Sequence, residues 1–305
     1  MRTKQAARRR AMRLLTGLLF ASPWLLGLLL FNVYPIGSSF YYSLTSFSVL
    51  TRPVWVGFDN YAKLVTQDQA FLTSVSNSLI YAAMLIPSGL IVGISLALLL
   101  NTSVRGVGLY RALYYLPVLV PPVASAVIWK WVLNPRFGIV NAALGALGLP
   151  QPGWLSDPLW SKPSLVLVDL WALGNAVVIY LAGLQDVPRE LLEAAEIDGA
   201  GGLQRTWYIT LPMITPVILF NLIMGVIGVF QSFTVPFTLT NGDGSPAQSL
   251  LFYSMYLYRN AFQMLRMGSA SAMAWMLLVV VLIATLIVFG TSTRWVYYRG
   301  GEKLS

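Results

Sequence analysis

Two sets of polar residues interrupt a chain that is 57% hydrophobic and only 10% charged. The first lies in a polar island between two long apolar segments: Glu193-Ala194-Ala195, then Asp198-Gly199-Ala200, Leu203, and Ile209-Thr210-Leu211-Pro212. The Glu193 carboxylate accepts hydrogen bonds or pairs with a basic group. Small Ala194, Ala195 and Ala200 permit close approach to a partner groove. That chemistry is docking, not bond making. The second set sits within or at the ends of the apolar segments: Asp169, Trp171, Asn175, Tyr180, Asn221, Gly228, Gln231 and Ser232. Polar groups inside a bilayer are costly and mark a pathway or a partner contact. Carboxylates and amides hydrogen-bond hydroxyl groups, and aromatic faces cover apolar rings, so this set suits binding of a polar solute.

Composition excludes several classes. The chain has no Cys and no His, which removes disulfides, thiolate metal sites and the commonest general base. Acidic residues are few and mostly in loops, so hydrolase and metal-site readings start poorly. No Gly-x-x-x-x-Gly-Lys phosphate loop is present, so any use of ATP must come from a partner. The net charge of +9 does not imply nucleic acid. The basic residues flank apolar segments, where lipid headgroups and topology account for them.

The elements that position these residues are membrane helices. A span needs roughly 20 apolar residues. Six segments qualify, near 14–34, 79–100, 110–132, 165–184, 211–233 and 270–289. The third holds Pro117, Pro121 and Pro122, which predicts a kinked or broken helix. An even number of spans puts both ends on one side. Thirteen Lys and Arg residues then fall on the side of the termini and the Glu193 island, against seven opposite, which places both termini in the cytoplasm. The basic residues before the first span do not make it a cleaved signal peptide, because the run is too long and no small-x-small site closes it. The expected organisation is a basic N-terminus at 1–13, a six-helix transmembrane domain at 14–293 with a cytoplasmic loop at 186–212, and a cytoplasmic tail at 294–305. In that loop Pro188 suits a first helical turn, and Glu190 and Glu193 complement the helix dipole. Gly199 permits the positive φ that ends the helix. Leu203 and Trp207 fall one turn apart on a second short helix.

The segment Leu191 to Pro212 resembles the coupling loop of ABC importer permeases: Glu-Ala-Ala, three residues, Gly, nine residues, Ile-x-Leu-Pro. The resemblance covers nearly the full length. It includes Pro23-Trp24-Leu25-Leu26-Gly27, Tyr34-Pro35-Ile36, Val56-Gly57-Phe58-Asp59-Asn60-Tyr61, Leu181-Ala182-Gly183-Leu184 and Phe230-Gln231-Ser232-Phe233. The chain is similar to the first of the two permeases in carbohydrate-uptake systems of the maltose and glycerol-phosphate type. It departs from relatives at Leu203, where they carry Trp, at Thr206, where they carry an aromatic residue, and at Gly242-Asp243-Gly244-Ser245-Pro246, where they carry Gly-Gly-Pro. The resemblance implies an all-α integral membrane protein of six spans with the type I importer permease fold. It implies a second homologous permease, two ATPase domains that bind ATP and Mg, and an extracytoplasmic solute-binding protein. The membrane would be the prokaryotic inner or plasma membrane. It implies no cofactor on this chain and no nucleic acid.

The resemblance makes a sugar the expected solute, with the second polar set on its path. Trp171 and Asn175 are four apart, and Asn221, Gly225, Gly228 and Ser232 form one helical stripe. Each has a plainer role open to it. Gly225 and Gly228 can simply admit a neighbouring helix, Asn221 can tie two helices, and Trp171 can face lipid. Asp169, the costliest to keep in a span, can pair with Lys130. The rival class is an ion-gradient-driven transporter, which shows duplicated halves and buried coupling charges. A membrane-embedded enzyme would need catalytic His, Cys or clustered carboxylates.

Overall fold

The computed structural model describes residues 2–102 and 104–297. Arg299 and Lys303, which entered the charge asymmetry, and the end of the tail expected at 294–305 lie outside the described residues. Four helices are long and apolar enough to cross a membrane: Leu15–Ser43, Gln69–Leu100, Thr215–Thr240 and Met267–Trp295. Two bent pairs, Val107–Leu119 with Pro122–Val132 and Pro158–Trp171 with Gly174–Gln185, bring the number to six if each pair is one span. The fold is that of an all-α membrane protein, with one two-stranded pairing among the described residues, Thr45–Ser46 with Val54–Trp55. The first helix begins at Arg2 rather than at the apolar boundary near residue 14, because Ala, Arg and Leu are all strong helix formers.

The chain forms two compact units, 1–67 with 260–276 and 68–259 with 277–305. In the first, Asn60 Nδ2 donates to the carbonyls of Ser43 at 2.8 Å and Thr45 at 2.9 Å. The Tyr61 hydroxyl is 2.8 Å from Ser43 Oγ. The Asn-Tyr pair of the Gly57–Tyr61 segment thus fastens the chain where it leaves the first span.

In the second unit, Gln69–Leu100 is the central post. Asp68 caps it by accepting from Phe71 N at 2.9 Å, and Asp68 also accepts from the Tyr256 hydroxyl at 2.7 Å. The helices Pro158–Trp171, Gly174–Gln185, Thr215–Phe230 and Tyr253–Tyr258 pack around this post. Buried residues form one cluster around Tyr81, Leu165, Val229 and Phe252 and another around Ala97, Tyr180, Leu184 and Ile214. Ala82 and Ala97 belong to different clusters; at 1.5 Å per residue they are roughly 22 Å apart along the post.

Both breaks have local causes. In the third span Val120 and Pro121 are extended, at ψ 124° and 138°, because the residue before a proline avoids helical geometry. Pro122 then opens the next helix, and the two halves bend by 100°. The fourth span was expected to be continuous over 165–184. It instead bends by 52° at Ala172 and Leu173, with no proline at the break. Its cause is tertiary. A Cβ at Gly174 would lie 2.7 Å from Val118 Cγ2 and 3.0 Å from the Tyr114 carbonyl oxygen, so the second half-helix starts where the third span's backbone presses against it. Further along, a Cβ at Gly183 would lie 2.7 Å from Val217 Cγ2. The fourth and fifth spans therefore touch closely near the loop that joins them.

Candidate functional site

The loop between those spans is a helix, a turn and a second short helix. Arg189–Ile197 is helical, with Glu190 in its first turn and Pro188 just before it as the cap residue rather than within the first turn. The helix ends in a Schellman motif: Ala200 N donates to the Ala195 carbonyl at 2.8 Å, and Gly199 N to the Glu196 carbonyl at 3.0 Å. Gly199 stands at φ 83°, and a Cβ there would meet no atom within 4 Å. Glycine is demanded here by backbone conformation alone. Asp198 is the C-cap residue. Glu193, Ala194 and Asp198 are exposed, while Ala195 and Ala200 are half-buried.

The second helix, Gly202–Arg205, is capped by Gln204 Oε1, which accepts from Gly201 N at 2.9 Å. It runs into a π-helical turn at Thr206–Thr210. Leu203 lies on the α-helical turn and Trp207 on the π-turn, four residues apart. Both are bare. Ile197 is 87% exposed, Leu203 88%, Trp207 68% and Tyr208 75%. Four large apolar side chains on one short loop make a surface suited to burial against a partner.

Within the second unit lies a cavity of about 730 Å³. Of the second polar set, Asp169, Asn175, Tyr180, Asn221, Gly228 and Ser232 line it, together with Gly225, Tyr81 and Tyr115. Leu85, Ile86, Phe220 and Met224 supply apolar wall. No Lys or Arg is among the lining residues. Asn221 Nδ2 donates to the Val217 carbonyl of its own helix at 3.0 Å. Cβ atoms at Gly225 and Gly228 would meet nothing within 4 Å, so these glycines widen the cavity rather than admit a helix from this chain.

Trp171 and Gln231 are not on this wall. Trp171 lines a separate pocket of about 240 Å³ with Leu113, Pro117 and Gly174, and meets Trp129 edge-on at 5.8 Å between ring centroids. The break at Ala172–Leu173 separates it from Asn175, so four-residue spacing no longer implies a shared face. Gln231 is the C-cap of Thr215–Phe230 and is exposed. Asp169 takes a hydrogen bond from the Tyr81 hydroxyl through Oδ2. It does not pair with Lys130; among the described residues the ion pairs are Lys63–Asp59 and Arg205–Glu196. Tyr81, fully buried on the central post, lines the cavity beside Asp169 and was not singled out from the sequence. Its one signal was a phenol in the middle of a very apolar span. Among the described residues no three His, Cys, Asp or Glu side chains converge on a metal site.

The arrangement matches known proteins. Residues 89–299 fit the family described as binding-protein-dependent transport system inner membrane component. The chain is 39% identical to the probable ABC transporter permease protein YesP of Bacillus subtilis (strain 168), over 95% of this chain and 94% of that one. It is 34% identical to the lactose transport system permease protein LacF of Rhizobium radiobacter, over 90% and 91% of the two chains. Its fold superposes on a chain from the crystal structure of a bacterial alginate ABC transporter in complex with an alginate pentasaccharide-bound periplasmic protein. The TM-score is 0.78 and the identity 27%, covering 94% of this chain and 96% of that chain. A gradient-driven transporter is not favoured by any of these likenesses. Apolar helices sufficient for four to six crossings among the described residues, a capped polar loop, and a family match over most of the chain agree: this protein belongs to the binding-protein-dependent transport system inner membrane components, as a permease subunit of an ABC importer.

Proposed function

We propose that this chain forms half of the translocation pathway for a carbohydrate or related polar solute, and couples to its ATPase through the loop at 186–212. The observation that carries the coupling is the bare apolar surface of Ile197, Leu203, Trp207 and Tyr208 beside exposed Glu193. A soluble flank would not keep four such side chains in water, and a Schellman-capped turn holds them in place. ATP and Mg belong to the ATPase, since this sequence has no phosphate loop. A second, similar permease would complete the pathway and an extracytoplasmic binding protein would deliver the solute. Both termini would face the cytoplasm, as the basic residues favour.

Cavity chemistry supports the solute class. Asp169, Asn175 and Ser232 offer hydrogen bonds, Tyr180 and Tyr115 offer ring faces, and no cation is present to hold a phosphate. A neutral sugar fits that lining better than a phosphorylated one. Relatives are named for lactose and for sn-glycerol-3-phosphate, so both chemistries occur among similar chains. The test is uptake by proteoliposomes holding the full complex, with ATP inside and no ion gradient. ATP-dependent accumulation of a neutral sugar is expected. Uptake that follows an imposed proton or sodium gradient without ATP would refute the proposal, as would full activity from this subunit alone.

A further inference from the structure

The two short helices of the loop are joined by Gly199-Ala200-Gly201-Gly202, the least constrained backbone in the segment. The Schellman motif stops the first helix, and Gln204 caps the second. Neither interaction fixes the angle between them. One side-chain contact does. Arg205 Nη1 donates to Glu196 Oε2 at 2.5 Å. Among the described residues it is the only side-chain polar bond that joins the two helices.

Glu196 is otherwise badly placed. It lies in the last turn of Arg189–Ile197, beside Asp198, where the helix dipole disfavours negative charge. Helix stability therefore does not account for it; the partner across the turn does. Arg205 closes the second helix, and its side chain is only 28% exposed against 67% for Glu196. The Arg205 side chain is thus partly shielded while Glu196 stays open to water, so the pair is worth at most about what surface pairs give.

We propose that Glu196 and Arg205 are positioning residues: their ion pair sets the angle between the two helices of the loop, so that displacement of the docked ATPase moves the spans instead of bending the glycine-rich turn. This inference rests on the loop being the ATPase dock. The contact surface and the clamp are separable, because the apolar contact residues Ile197, Leu203, Trp207 and Tyr208 are untouched by changes at 196 or 205.

The full complex with Glu196→Gln, Arg205→Gln and the charge-exchanged double variant Glu196→Arg/Arg205→Glu tests it. Three quantities are read: ATPase retained on purification, solute moved per ATP hydrolysed, and the distance distribution between spin labels on Cys introduced at Arg189 and Gln204. The chain has no native Cys, so these labels are unique in this subunit. Each single variant should retain the ATPase, lower solute moved per ATP by roughly two- to fivefold, the range an ion pair of this exposure allows, and broaden the label distances. The exchanged pair should recover most of both losses. Wild-type coupling in the single variants, or an exchanged pair no better than either, would overturn the clamp. ATPase loss in the single and exchanged variants alike would also overturn it, by making 196 and 205 contact residues, while leaving the docking reading intact. The docking reading itself fails separately, if Glu193→Lys and Gly199→Val both keep the ATPase bound and coupled.

Discussion

The loop at 186–212 and the half-broken fourth span that precedes it are neighbours in the chain, yet their shapes have different origins. In the loop the deciding interactions are short in sequence: Ala200 to Ala195, Gly199 to Glu196, Gly201 to Gln204, Arg205 to Glu196. In the span the deciding interactions are long. The bend at Ala172–Leu173 answers to Val118 and Tyr114, and Asp169 answers to Tyr81. A loop of the first kind keeps its form when its surroundings move. A wall of the second kind changes form when its neighbours do. A transporter has use for one rigid part and one responsive part, and here they adjoin.

Breaking this contrast should be easiest at Gly174. A side chain there meets Val118 Cγ2 and backbone, and overpacking costs about 1–3 kcal/mol. Gly174→Val should therefore lower the thermal stability of the detergent-solubilised subunit and reduce complex yield, whereas Gly199→Val, whose side chain meets no atom within 4 Å, should lower subunit stability less and act mainly on the loop. Next in size is Asp169→Ala. It removes the carboxylate from the cavity and leaves the Tyr81 hydroxyl unpaired, a loss of about 1–3 kcal/mol. Transport should fall at least about tenfold with assembly and basal ATP hydrolysis retained; normal uptake would remove Asp169 from the path. Gly199→Val comes third. A β-branched residue at φ 83° costs roughly 1–2 kcal/mol, so co-purification of the ATPase should drop by about tenfold. Gly199→Asn, which tolerates that conformation better, should lose less. If Val and Asn behave alike, backbone conformation is not what Gly199 supplies. Tyr81→Phe keeps the ring and deletes one donor, so transport should fall only about fivefold, matching about 1 kcal/mol for a hydrogen bond. Trp171→Phe should be the mildest, within about twofold, because Trp171 faces the smaller pocket, where an aromatic replacement keeps the apolar fill. A strong transport defect in that variant, with stability unchanged, would return Trp171 to the solute path.

This difference in range also decides what was legible in the sequence. The loop's helix, its stop at Gly199 and its exposed carboxylates follow from local rules, and so does the break at Pro121-Pro122. Apolar runs located the four unbroken membrane-length helices and the two bent pairs, though they missed the helical extension back to Arg2 and the bend at Ala172–Leu173. No breaker marks that bend; Gly174 matters because of what lies against it, and one chain without its fold does not say what that is. Helical spacing likewise grouped Trp171 with Asn175 on an unbroken helix that does not exist. Asn221, Gly225 and Gly228 of the stripe were legible because their helix is regular to Phe230; Ser232 lies just past its end yet still lines the cavity. Tyr81 was invisible because aromatic residues are common in spans, and only the fold brings its hydroxyl to Asp169. The π-turn at Thr206–Thr210 escaped for the opposite reason: nothing in that pentad separates it from an ordinary α-turn.

The close approach of Gly183 to Val217 bears on how force would travel from the proposed dock. These residues belong to the two legs on which the loop stands, and their contact acts as a pivot pin. A stroke that presses the legs together cannot close them further at this level, because no slack exists between a glycine and the valine methyl packed on it. It must pass upward as torque on the paired legs. The first compliant joint it meets in the fourth span is Ala172–Leu173, roughly 15 Å along the helix from Gly183. Leu173 and its neighbour across the joint, Asn175, both face the cavity. On the proposed coupling, the pin would direct the work of the stroke to the wall that would hold the cargo.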